Sequence, residues 1–214
     1  MKLKLTTVAL AALALGGAIA YAMYSLLSSS GQSSQGVGPA RSGELPATGK
    51  PLIGGPFSLV DQTGKRVTDA DFRGRYMLVF FGYTFCPDIC PSGLQVISAA
   101  LDQLGGDAEK ITPVFITIDP ARDTPEKMGA YVKSFHPRFV GLTGTPEEIG
   151  AAVKAYRVYA KKVADEKNPA DYTMDHSSIV YLMGPGGGLV AFSSELTKPD
   201  ALAAQIKKGL AFKG

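Results

Sequence analysis

At 214 residues, with 45% hydrophobic and 19% charged side chains, the chain is long enough to bury one substantial core and too apolar for a disordered tail. Twenty-two Lys and Arg against nineteen Asp and Glu leave a formal charge of +3. With no dense basic run interleaved with aromatics, that balance describes a solvated surface and argues against nucleic acid as a partner.

In chain order, Lys2 and Lys4 precede an apolar stretch over residues 5–27 that carries no charge. About 23 residues make roughly 34 Å of helix, enough to cross a hydrocarbon core of about 30 Å. Lysines before the span, and none directly after it, predict a cytoplasmic N-terminus with the rest of the chain outside. Ala18-Ile19-Ala20 resembles a cleavage site, so a removed signal peptide is the alternative reading. The apolar run continues through Tyr24, Leu26 and Leu27, which favours a retained transmembrane anchor over residues 1–27. In the absence of an Arg- and Ser-rich presequence, the expectation is a bacterial inner membrane with the domain in the periplasm, an oxidising space. Residues 28–49, "SSSGQSSQGVGPARSGELPATG", are Ser-, Gly- and Pro-rich and read as a flexible tether. Residues 50–214 remain as a single folded domain.

Within that domain, "YMLVFF" (76–81) and "PVFITI" (113–118) are short apolar runs rich in β-formers, the pattern of strands buried on both faces. Between them, Leu94, Ile97, Leu101 and Leu104 recur at helical spacing. Thr124-Pro125 opens a second helix, with Thr as cap and Pro at the first helical position. Thr145-Pro146 opens a third, with Glu148 completing a capping box. "SSIVYLM" and "GLVAFSS" flank "GPGG" as a hairpin, and residues 198–213 read as a closing amphipathic helix. This order predicts an α/β fold of thioredoxin-like type, a mixed sheet flanked by helices.

The only two cysteines, Cys86 and Cys90, lie in "FFGYTFCPDICPSG" (80–93), after a predicted buried strand and before a predicted helix. Pro91 suits the first helical position and would place Cys90 at the cap, where the positive end of the helix favours thiolate. Cys86 then sits in the preceding loop, stiffened by Pro87, and both sulfurs face one shallow pocket. A stapling disulfide is the plain alternative, but closing a loop of about five residues contributes only roughly 2 kcal/mol. Reversible oxidation of the pair is expected in this compartment.

Two thiolates need a further ligand to hold a metal, and the chain has two histidines. His136, in "KSFHPRF", reads as a helix C-terminal or surface residue. His176, in "YTMDHSSIVYL", precedes a predicted strand in a loop that a thioredoxin-type fold brings beside the N-terminus of the first helix. Two soft thiolates with one imidazole suit Cu(I) best, with Cu(II) and Zn(II) possible, although zinc ordinarily takes a fourth ligand. "IDPARDTP" (118–125) reads either as a strand-end loop with Arg122 and Asp123 paired beside the Thr124 cap, or as a partner-docking surface.

The segments "VFFGYTFCPDICP", "ITIDPARDTPEKM", "HPRFVGLTG" and "YTMDHSSIVYLMGPGG" closely resemble the Sco/SenC proteins. These are membrane-anchored, thioredoxin-like proteins that help assemble the CuA centre of cytochrome c oxidase. The resemblance implies a copper-binding metallochaperone with Cys86, Cys90 and His176 as ligands, and Asp88 and Asp175 supporting them. It implies as partners the CuA-bearing oxidase subunit, a copper donor and a thiol reductant. Phe85 departs from the polar residue or His that many members carry there, which bears on pocket polarity. The alternative function is a thiol–disulfide oxidoreductase that keeps the CuA-site cysteines reduced through Cys86 and Cys90. The three-residue spacer argues against it, because thioredoxins use C-x-x-C.

Overall fold

The computed structural model describes residues 53–164, 171–194 and 198–211. The expected anchor at 5–27 and tether at 28–49 lie outside them. Among the described residues no helix is long and apolar enough to cross a membrane.

The first described elements are strands β1 (Ser58–Asp61) and β2 (Arg66–Thr68), an antiparallel hairpin that sequence reading missed. Each strand has only three or four residues and one buried side chain, Leu59 or Val67, which is too little to register as periodicity. Asp61 builds the turn instead, its Oδ1 accepting from Thr63 N at 2.8 Å and Lys65 N at 3.1 Å.

Strands β3 (Tyr76–Gly82) and β4 (Ile111–Thr117) lie parallel, as the two apolar runs predict. Met77 to Phe81 are all 3% exposed or less. Burying each such side chain is worth about 1.5–3 kcal/mol, so these strands anchor the core. Helix α1 (Ile89–Leu104) connects them. Helix α2 (Pro125–Lys133) leads into the short β5 (Val140–Thr143), parallel to β4, and helix α3 (Pro146–Ala155) follows. Both predicted caps are present. Thr124 Oγ1 accepts from Lys127 N at 3.4 Å. Thr145 and Glu148 form the reciprocal box at 3.3 and 2.9 Å.

Strands β8 (Val180–Met183) and β9 (Leu189–Ser193) form the hairpin expected around "GPGG", with Gly187 at φ 81° in its turn. Helix α4 (Pro199–Ala211) closes the domain and packs on α1. Among the described residues the main sheet has seven strands, in the order β2-β1-β5-β4-β3-β8-β9. It is the mixed, helix-flanked, thioredoxin-like sheet the sequence predicts.

Two local expectations need correction. Helix α1 begins at Ile89 with Asp88 as its cap residue, so Cys90 lies inside the first turn and Pro91 one position deeper. The first turn tolerates this because its N–H groups have no intrahelical acceptor, so a missing one at Pro91 costs no bond. His176 is not in a loop: it ends β7 (Tyr172–His176), which pairs antiparallel with β6 (Ala160–Ala164) as a separate two-stranded sheet. Strand β6 is exposed and carries Lys161 and Lys162, so no buried alternation marks it in the sequence.

Candidate metal centre

The strand end at Gly82 and the start of α1 carry the thiols. A Cβ on Gly82 would lie 2.8 Å from Cys90 Sγ and 2.8 Å from Phe115 Cε2, so the missing side chain is what admits Cys90 against the strand. Cys90 is 0% exposed and Cys86 is half-buried at the rim. Both thiols are free. The Cys90 backbone N–H donates to Cys86 Sγ at 3.3 Å, and the Cys86 N–H donates to the Tyr83 carbonyl at 3.3 Å. From β7, His176 brings Nε2 to 3.4 Å from Cys90 Sγ. Its Nδ1 lies 3.2 Å from the Ser177 carbonyl, which can only accept. That contact places the ring proton on Nδ1 and leaves the Nε2 lone pair facing the sulfurs.

Two sulfurs and one imidazole nitrogen thus lie within 4.8 Å of one another. The three residues the sequence singled out are brought together from positions up to 90 apart, Cys86 to His176. His136 is elsewhere: its Nδ1 accepts the Arg138 N–H at 3.2 Å in the turn after α2, and burial pushes its imidazole pKa down. The Asp88 carboxylate is at the surface, 3.3 Å from Ser92 Oγ. Asp175 is exposed, on the face of β7 opposite His176.

The electrostatics of the two thiols differ in sign. The hydrogen bond from the Cys90 thiol, aided by the N–H groups of Asp88 and Cys90, holds the Cys86 thiol well below its ordinary range despite partial burial. The same hydrogen bond, together with burial, pushes the Cys90 thiol up. These shifts favour the thiolate at the half-buried Cys86 and keep the proton on the buried Cys90, so a soft cation bound to both would displace that proton.

Several residues that sequence reading missed frame this trio. Tyr83 is 3% exposed and packs edge-on to His176 with centroids 6.0 Å apart; burial pushes its phenol up. Phe80 meets His176 from a second side at 6.5 Å. The expected Arg122–Asp123 pair does not form. Asp123 is fully buried and accepts from Thr84 N at 3.0 Å, Thr84 Oγ1 at 2.6 Å and Thr117 Oγ1 at 2.6 Å, so it clamps the thiol loop to the end of β4. Arg122 turns the other way, to Asp119 and to Tyr172 in β7. A polar residue after a core strand was the only sequence signal for either role. Phe85 is 54% exposed beneath Arg122 and Lys127, at 4.8 and 5.3 Å, on an open groove shared with Thr84, Ala130 and Tyr131.

The donor set fits a soft ion. Metal bonds of about 2.0–2.3 Å would set the ligand atoms of a trigonal site roughly 3.5–4 Å apart, so the trio has to contract by about an ångström or less.

The SCO1/SenC family profile matches residues 46–211. Protein SCO1 homolog 1, mitochondrial, of Arabidopsis thaliana is 44% identical over 166 residues, covering 77% of this chain and 49% of that protein. The chain thus spans about half the length of that relative. Protein SenC of Rhodobacter capsulatus is 43% identical over 156 residues, covering 72% of this chain and 69% of that protein. The structure of Bradyrhizobium japonicum ScoI with copper bound superposes with a TM-score of 0.67 at 48% identity, covering 73% of this chain and 98% of that one. With the family profile matched over residues 46–211 and relatives 43–48% identical, one of them superposing on the same fold, the chain belongs to the SCO1/SenC family.

Proposed function

We propose that this protein is a copper carrier that helps assemble the CuA site of cytochrome c oxidase. Cys86, Cys90 and His176 would hold the ion as cargo, and the CuA-bearing oxidase subunit would receive it. The observation that carries this reading is the convergence of two sulfurs and one imidazole nitrogen within 4.8 Å, a soft and coordinatively incomplete site. Incompleteness suits transfer, because an acceptor's ligands can attack while the donor lets go one at a time. Cys86 at the rim is the first to be reached, and Cys90 behind it the last to release. Loading requires the reduced pair, hence a thiol reductant as well as a copper donor. The copper-bound relatives and the resemblance in the CPDICP and DHS motifs support the same reading.

The test is copper titration of the reduced full-length protein, with X-ray absorption at the copper edge. About one ion per chain with about two sulfur neighbours plus nitrogen is expected. Unchanged binding in Cys86→Ser, or binding through His136, would refute it. In cells, His176→Ala should lower the CuA content of the oxidase under limiting copper.

A second reading is favoured by the depressed pKa of Cys86 and its half-buried place at the rim, the features of an attacking thiolate. In it Cys86 attacks an oxidised CuA-site disulfide, and Cys90 then displaces the mixed disulfide as its proton passes to the released thiolate. Two electrons move to the partner and the Cys86–Cys90 disulfide forms. Here His176→Ala is nearly silent and either cysteine variant is inactive, so the histidine separates the readings.

For location, we propose that residues 5–27 anchor the domain at the periplasmic face of a bacterial inner membrane. Carbonate-washed membranes should retain the full-length chain; a soluble form beginning near Tyr21 would identify a cleaved signal peptide instead.

A further inference from the structure

The hairpin that carries His176 is not part of the seven-stranded sheet. A two-stranded hairpin is marginal by itself, so its placement depends on side-chain anchors. Arg122 supplies one from the loop after β4. Its Nη1 donates to the Tyr172 carbonyl at 3.0 Å, and its guanidinium carbon lies 3.7 Å from the centroid of the Tyr172 ring. The same group lies 4.8 Å from the centroid of the ring of Phe85, the neighbour of Cys86. Asp119, 4% exposed, ties the assembly together: one carboxylate oxygen accepts from Arg122 Nε and the other from the Tyr172 hydroxyl at 2.9 Å. The Asp119 backbone is itself held, its N–H donating to Thr117 Oγ1 at 2.9 Å. Tyr172, Met174 and His176 share the inward face of β7, so fixing the first orients the last.

We propose that Arg122 is a positioning residue: in contact with both Phe85 and Tyr172, it holds the β6–β7 hairpin so that His176 stays within reach of the two thiols. The proposal rests on the copper reading above. Arg122 touches no ligand atom and acts through His176. Planarity matters here, because a guanidinium stacks on two rings while keeping its fork of donors for Asp119 and the carbonyl, and a lysine ammonium does not.

The experiment is a double-mutant cycle on copper affinity, read by competition with a chelator, together with hydrogen exchange on the metal-free reduced protein. Arg122→Ala should weaken copper binding about 10- to 100-fold, the scale for groups that orient a ligand. In the His176→Ala background the same change should cost less than about twofold. Arg122→Lys should not rescue, and Tyr172→Phe, which keeps ring and carbonyl, should fall between. Amides of residues 173–176 should exchange faster in Arg122→Ala while those of β3 and β4 keep their protection. Wild-type affinity in Arg122→Ala, or an equal loss in the His176→Ala background, overturns the proposal. If wild type fails to bind copper, or His176→Ala costs nothing, the copper reading falls instead. Hydrogen exchange then decides the positioning claim alone, and unchanged protection at 173–176 refutes it. Should Arg122→Ala not fold, Arg122→Lys and Tyr172→Phe carry the same cycle.

Discussion

Gly82→Ala tests whether backbone proximity sets the position of Cys90. The added methyl would sit 2.8 Å from Cys90 Sγ, 2.8 Å from Phe115 Cε2 and 3.2 Å from Phe115 Cζ. Ordinary carbon contacts are about 3.5–4.0 Å, so the shortfall is roughly an ångström on two sides. Phe115 has nowhere to retreat: it is 0% exposed and lies between Phe80 and Tyr131 at 6.1 and 5.5 Å. Cys90 must give way, and its sulfur moves by about half an ångström to an ångström. Overpacking of this kind costs about 1–3 kcal/mol, which for a domain of this size lowers Tm by roughly 2–12 °C. A ligand displaced beyond about half an ångström leaves productive geometry, so copper affinity should fall at least tenfold. Thermal melting and chelator competition read the two effects. Gly150→Ala is the control, since a Cβ there meets nothing within 4 Å in helix α3 and should stabilise by about 0.5–1 kcal/mol. Unchanged Tm and affinity in Gly82→Ala would refute the argument that this glycine exists for Cys90.

Asp123→Ala should destabilise by about 2–4 kcal/mol in denaturant unfolding, because it leaves the Thr84 N–H and the Thr84 and Thr117 hydroxyls without their buried acceptor. Thr145→Ala should cost about 1 kcal/mol through loss of the α3 cap and leave copper affinity unchanged, as measured by urea midpoint and titration. His136 has a folded pKa below its unfolded value, chiefly through burial, so its neutral form is favoured by folding. Its contribution is therefore full above about pH 6.5 and is lost as pH falls below that value. His136→Gln should flatten the stability–pH slope below about pH 6.5, and an identical slope would show that His136 does not contribute.

Much of the site is legible before any folding is considered, because it is written in local chemistry. The caps at Thr124 and Thr145 involve residues only three apart. The β3 and β4 runs are long enough for burial on both faces to show as unbroken hydrophobicity. Cys86 and Cys90 are placed by the strand–turn–helix that the same residues specify, and His176 stands out because a soft site lacks a third ligand. Position at the helix start was misjudged by two residues, since proline's preference for the first helical position is weaker than the freedom any first-turn residue has to forgo its N–H.

Only the tertiary structure decides the rest, for reasons of distance and length. Strands β1, β2 and β5 have three or four residues each, below what a period-two pattern can signal, and they become strands by pairing within the completed sheet. The exposed β6–β7 hairpin has no core face strong enough to announce it. Adjacent charges suggested that Arg122 and Asp123 pair, but neighbouring side chains need not point to the same place. Burial takes Asp123 to the hydroxyls of Thr84 and Thr117, while Arg122 reaches a carbonyl 50 positions away. Those partners come into range only once β3 and β4 lie side by side and the histidine hairpin folds over their ends, because the chain's crossovers, not its local preferences, set which loops meet.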